Sequence, residues 1–138
     1  MKAPNKPILI VEDDDVDVMT MQRAFKEIRV PNPLVRQENG ELAIDYLRDR
    51  RNAMPCIILL DLNMPVMNGI EFLQVIKRDE VLRRIPVIVV TTSKEQEDKV
   101  NSFNCSVAGY MEKPVDYRRF VDVVRSIDVY WSLSELPA

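Results

Sequence analysis

Ile57-Ile58-Leu59-Leu60-Asp61 is the stretch whose reading decides the fold. Its apolar run leaves no position for a solvent face, as in a strand buried on both sides within a parallel sheet. Three other stretches repeat the plan. Ile8-Leu9-Ile10-Val11 runs into Glu12-Asp13-Asp14-Asp15, Val87-Ile88-Val89-Val90 into Thr91-Thr92-Ser93, and the shorter Tyr110-Met111-Glu112 into Lys113-Pro114. In open parallel sheets, sites form outside the carboxyl ends of the strands. One edge of this sheet is therefore expected to gather carboxylates, hydroxyls and an ammonium. That set can hold a divalent metal and a phosphoryl group.

Working outward, the strands alternate with helix-length segments, the βαβ plan of a doubly wound α/β fold. Residues 15 to 28 carry Val18, Met21, Phe25 and Ile28 at helical spacing, with Asp14, Asp15 and Asp17 near the start, where acids suit the helix dipole. Residues 34 to 38 read as a strand with only Leu34 and Val35 as apolar support. Asn39-Gly40 makes a turn, and 41 to 51 reads as a helix with Ala43, Ile44 and Leu47 inward. Cys56, after Pro55, opens the 56 to 60 strand and reads as a small core residue.

A helix follows from Gly69 to about Arg78, with Ile70, Leu73 and Ile76 or Lys77 on one stripe. Segment 94 to 105 is mostly polar, anchored by Val100 and Phe103, and reads as an exposed, mobile helix. Asp116 is placed to N-cap a last helix, where Tyr117, Phe120, Val124, Ile127 and Trp131 form a stripe. The count is five strands and five helices.

Bulk composition excludes several function classes. A chain of 138 residues suits one domain. The net charge of −3 gives no basic excess for nucleic acid. No histidine is present, so Ser-His and Cys-His catalysis and any imidazole zinc site are excluded. Cys56 and Cys105 stand in no metal or redox spacing, and the first apolar run is too short for a signal segment or membrane span. The expected setting is a reducing cytoplasm, with no membrane and no nucleic-acid partner.

Taken singly, the strand-end residues have plain structural readings. Asp61 suits a turn, Glu12 and Asp13 a helix start, Lys113 the surface, and Thr91 and Thr92 a strand. Together, Glu12, Asp13 and Asp61 would repel one another unless a cation sat among them. Hard oxygen ligands with few protein contacts suit Mg²⁺. An EF-hand at Asp13 to Asp17 fails, because the loop glycine and closing glutamate are missing. Lys113 can pair with a carboxylate and with phosphate oxygens. A cis bond is open to the Lys113-Pro114 step and would aim the lysine inward.

In ILIVEDD, LLDLNMPVMNG, VIVVTTS and GYMEKPV, in that order, the chain resembles the receiver domain of two-component response regulators. The resemblance covers roughly residues 6 to 128. It implies a flavodoxin-like, five-stranded parallel sheet of order 2-1-3-4-5. It also implies roles. Asp61 would accept a phosphoryl group from a sensor histidine kinase. Asp13 would bind Mg²⁺ directly, Glu12 through water, and Asn63 through its backbone carbonyl, beside Asp61 itself. Thr91 and Lys113 would hold phosphoryl oxygens, and Tyr110 would be the aromatic switch that follows Thr91. Asn63 and Ser93 would tune hydrolysis.

The implied organisation is a flexible stretch at 1–6, a receiver at 7–128, and a helical tail at 129–138 with no room for an output domain. The tail, Val129-Tyr130-Trp131-Ser132-Leu133-Ser134-Glu135-Leu136-Pro137-Ala138, resembles that of single-domain regulators that partner phytochrome-type kinases. Val121, Val129, Tyr130, Leu133 and Leu136 fall off the last helix's stripe, so a homodimer through that helix and tail is expected.

Two other functions compete. A degenerate receiver would bind partners without phosphate, but it would have lost an acid or the lysine, and none is lost. An aspartate-nucleophile phosphatase would need a second acid two residues on, where Asn63 stands.

Overall fold

The structure is a computed structural model that describes residues 6–92, 94–103, 105–113 and 115–134, with side chains of the last helix described to residue 126. Five strands, β1 (Ile8–Val11), β2 (Leu34–Gln37), β3 (Ile57–Asp61), β4 (Val87–Thr91) and β5 (Gly109–Glu112), form one sheet in the order β2-β1-β3-β4-β5. All neighbouring pairs are parallel. The helices are α1 (Asp15–Glu27), α2 (Gly40–Arg48), α3 (Gly69–Lys77), α4 (Lys94–Ser102) and α5 (Tyr117–Ser134), with a short 3-10 turn at Leu82–Arg84.

The period-2 alternation of the strands sorts the core into two layers. Leu9, Val11, Ile58, Leu60, Val87 and Val89 pack with Ala43, Ile44, Leu47, Phe72, Leu73, Ile76 and Val100. Ile8, Ile10, Ile57, Leu59, Ile88 and Val90 pack on the other face with Val18, Met21, Phe25, Phe120 and Val124. Phe25 and Phe120 meet edge to face, centroids 5.3 Å apart, which joins α1 to α5. Burying each such side chain is worth about 1.5–3 kcal/mol, so the strand interiors, not their polar ends, hold the sheet together.

Helix starts are set by short polar side chains. Asp14 accepts from the Val16 N–H at 2.9 Å, Asn39 from the Leu42 N–H at 2.9 Å, and Asp116 from the Arg119 N–H at 2.9 Å. Asn68 and Glu71 form a reciprocal capping box at the start of α3.

Several expectations need correction. Val121 is buried on the core, so it contributes nothing to an exposed apolar face. Phe103 lies beyond the end of α4 and is 47% exposed; only Val100 anchors that helix. On α3, Leu73 and Ile76 are buried and Ile70 is partly buried against the core, while Phe72, which the stripe left out, is fully buried there. Cys56 precedes β3 and is half-buried, since the strand starts one residue later, at Ile57. The tail side chains from Ile127 onward, Ser93 and the Lys113-Pro114 bond lie outside the described residues.

Candidate functional site

The sheet order places a topological switch between β1 and β3: the chain leaves β1 for β2 on one side and returns to β3 on the other. A crevice outside the carboxyl ends of such a pair is the favoured place for a site. Val11 is in register with Leu60, so Glu12 and Asp61 emerge side by side. The Lys113 N–H donates to the Thr91 carbonyl at 2.7 Å, which brings the end of β5 to the end of β4.

Lys113 is the hub of the cluster. Its Nζ lies 3.0 Å from Glu12 Oε2, 3.1 Å from Asp61 Oδ2 and 3.3 Å from Asp17 Oδ2. The three acid side chains are 1%, 0% and 7% exposed. Burial alone would lower the Lys113 ammonium, but the hydrogen bonds and charges of Glu12 and Asp61 outweigh it and hold the group well above the usual lysine range. Glu12 is pushed up to about 8, first by burial and then by Asp61 beside it.

One ligand oxygen from each of Glu12, Asp13 and Asp61 lies within 4.8 Å of the others. Glu12 Oε1 is buried and meets no donor among the described residues. Converging hard oxygens, one of them orphaned, fit a hard divalent cation. Asp13 is the exposed member and faces the open side.

The remaining expected residues surround this cluster. The Asn63 N–H donates to Asp61 Oδ1 at 3.0 Å and fixes the acid's rotamer. Thr91 is buried at the end of β4. Tyr110 is half-buried on β5, and its hydroxyl donates to Asn101 Oδ1 on α4 at 2.9 Å, so it points outward. Thr92 turns its hydroxyl to Gln96 rather than to the cluster.

Reading by strand ends passed over four residues. Asp17 belongs to the buried face of α1 with Val18, Met21, Ala24 and Phe25, and it also accepts from the Val115 N–H at 3.3 Å. Its helical spacing from Met21 and Ala24 was the available signal. Arg36 pairs with Asp15 at 2.7 Å and donates Nε–H to the Glu12 carbonyl at 2.9 Å, pinning the β1–α1 loop. A Cβ on Gly69 would lie 2.6 Å from the Asp61 carbonyl oxygen, so only glycine lets α3 approach this strand end. Gln96, on a polar helix, had no signal of its own.

The chain belongs to the response regulator receiver domain family, whose pattern matches residues 8–125. It is 36% identical over 127 residues to the probable methanogenesis regulatory protein FilR2 of Methanothrix harundinacea, covering 90% of this chain and 82% of that protein. Response regulator Rcp1 of Synechocystis is 33% identical over 132 residues, covering 93% and 90%. The solved structure of the Mn²⁺-bound form of Rcp1 superposes with a TM-score of 0.79 at 33% identity, over 96% of this chain and 99% of that one. The phosphorylated cyanobacterial phytochrome response regulator RcpA superposes with a TM-score of 0.80 at 34% identity, over 97% and 99%. The chain is thus a signalling protein of the response regulator class, in a family that binds Mg²⁺ and is switched by phosphorylation. No described helix is long and apolar enough to cross a membrane.

Proposed function

We propose that Asp61 accepts a phosphoryl group from the phosphohistidine of a sensor histidine kinase, and that the phosphorylated chain exchanges one set of binding partners for another. The observation that carries this reading is the buried Asp61 carboxylate at the end of β3, with the Lys113 ammonium at 3.1 Å and oxygens of Glu12 and Asp13 within 4.8 Å. Phosphoryl transfer asks for in-line placement and charge neutralisation more than covalent help from the protein. Asp61 supplies the nucleophilic oxygen. Lys113 and Thr91 are placed to hold phosphoryl oxygens. Glu12, Asp13, Asp61 and the Asn63 backbone carbonyl are the ligands we assign to Mg²⁺, which neutralises charge on the phosphoryl oxygens when bound. In this reading the chain catalyses only its own phosphorylation and dephosphorylation.

An aspartyl phosphate adds roughly two negative charges at a site that already carries several. Thr91 is then drawn toward the new oxygens, Tyr110 leaves Asn101 and turns inward, and the face near α4 and β5 changes. To Asn63 and Ser93, which follow the acceptor and the threonine by two positions each in the sequence, we assign the tuning of the phosphate lifetime. The likeness to RcpA, a cyanobacterial phytochrome response regulator, supports a phytochrome-type kinase as the donor. The two free cysteines support a reducing cytoplasm as the setting.

We assign a homodimer to α5 and the residues after it. With Val121 buried, its side chain does not contribute to that interface. Sedimentation of the full chain against one ending at Asp128 tests it; two monomers at high concentration would remove the dimer.

Incubation with acetyl phosphate and Mg²⁺, followed by intact mass, tests the acceptor. Wild type gains one phosphoryl group and Asp61→Asn gains none while keeping its fold. Equal labelling of the two would overturn the assignment.

A further inference from the structure

Three side chains close a ring of hydrogen bonds beside the carboxylate cluster. Asn63 Nδ2 donates to Thr92 Oγ1 at 3.4 Å, Thr92 Oγ1 donates to Gln96 Oε1 at 3.1 Å, and Gln96 Nε2 donates back to Asn63 Oδ1 at 2.7 Å. The Thr92 N–H also donates to Gln96 Oε1 at 2.9 Å. All donors run the same way round, so each bond polarises the next. The ring ties the loop after β3 to the end of β4 and the first turn of α4. Because the Asn63 N–H also holds Asp61 Oδ1, the ring reaches the acceptor through one residue. A groove of about 490 Å³, lined by Asp13, Asn63, Pro65, Gln96 and Lys99 among others, opens on this side.

We propose that Gln96 is a positioning residue that prolongs the life of the phosphorylated state by holding the Asn63 carboxamide away from the attacking water. This rests on Asp61 being the acceptor. In hydrolysis the water oxygen attacks phosphorus in line with the Asp61 oxygen. The bond from phosphorus to that oxygen breaks, Asp61 regains its carboxylate, and both water hydrogens leave on inorganic phosphate. An acceptor beside the water assists by taking up its developing positive charge. Asn63 Oδ1 is such an acceptor when free, and in the ring it is occupied by Gln96 Nε2. Gln96 acts through Asn63 and not on the phosphoryl group.

The test loads the full chain from acetyl phosphate with Mg²⁺, removes the donor and follows loss of the phosphoryl mass. Gln96→Ala shortens the lifetime about fivefold, the rate equivalent of one hydrogen bond. Gln96→Glu also shortens it, since a carboxylate still accepts from Thr92 but has no N–H for Asn63. In an Asn63→Ala background, Gln96→Ala adds nothing, which separates positioning from general loosening of α4. Unchanged lifetimes in both Gln96 variants, or the same acceleration without the Asn63 side chain, would overturn the role of Gln96 alone. Failure of wild type to take up phosphate would overturn the reading of Asp61, and this inference with it.

Discussion

Replacing Asp61 by Asn should stabilise the metal-free protein, although it destroys the proposed acceptor. Three buried acids, Glu12, Asp17 and Asp61, share one ammonium, Lys113, and Asp13 stands beside Glu12 and Asp61. The strain is visible in Glu12, whose pKa rises from 4.5 to about 8, by burial first and by Asp61 second. A carboxyl with a raised folded pKa keeps its proton in the native state while the unfolded chain has lost it. Stability is therefore fully present below pH 4.5 and is lost progressively as pH rises to about 8. The whole shift is worth roughly 5 kcal/mol at about 1.4 per unit, and burial, its largest single cause, survives the substitution. Removing the Asp61 charge should recover on the order of 1–2 kcal/mol near pH 8. An Asn amide also offers a donor to the orphaned Glu12 Oε1.

Thermal melts in a chelator at pH 5 and pH 8 read this out, at roughly 3–5 °C per kcal/mol for a chain of this size. Asp61→Asn should melt above wild type at pH 8, with the gap narrowing at pH 5. Saturating Mg²⁺ should then favour wild type, which gains about 2.7 kcal/mol at a hundredfold excess over Kd. A variant that melts below wild type in chelator at both pH values would refute the electrostatic reasoning.

Other outcomes follow from single contacts. Asp13→Ala should weaken Mg²⁺ binding by at least about tenfold, or roughly 1.4 kcal/mol, in calorimetric titration. Asp15→Ala should leave that affinity within about twofold, because Asp15 is committed to Arg36; equal losses would mean a diffuse acidic patch. Gly69→Ala should destabilise by about 1–3 kcal/mol in urea melts, since its Cβ collides with the Asp61 carbonyl and Leu62. Val66 holds φ at 68° on an exposed loop, so Val66→Gly should raise stability by about 0.5–1 kcal/mol; a loss would show that its side chain makes a contact worth more than the strain.

Much of this architecture was legible in the chain itself. Unbroken Val, Ile and Leu runs have one stable place, the middle of a sheet covered on both faces, and their spacing leaves room for a helix between each pair. The residue after each run must then lie at the carboxyl edge, which is why the sequence alone brings Glu12, Asp61, Thr91 and Lys113 to one place. Tertiary structure alone decided how these groups pair. Asp17 looked like a helix-dipole acid, yet the packing of α1 turns it onto Lys113. Gln96 sits on a polar surface helix, and only the approach of α4 to the loop after β3 makes it a partner of Asn63. Val121 falls outside a simple helical stripe, but the arc of α5 against α1 is wide enough to bury it. Strand runs encode position along a strand through a local period. Cross-element pairs depend on the distances and angles between packed layers, and no local period carries those.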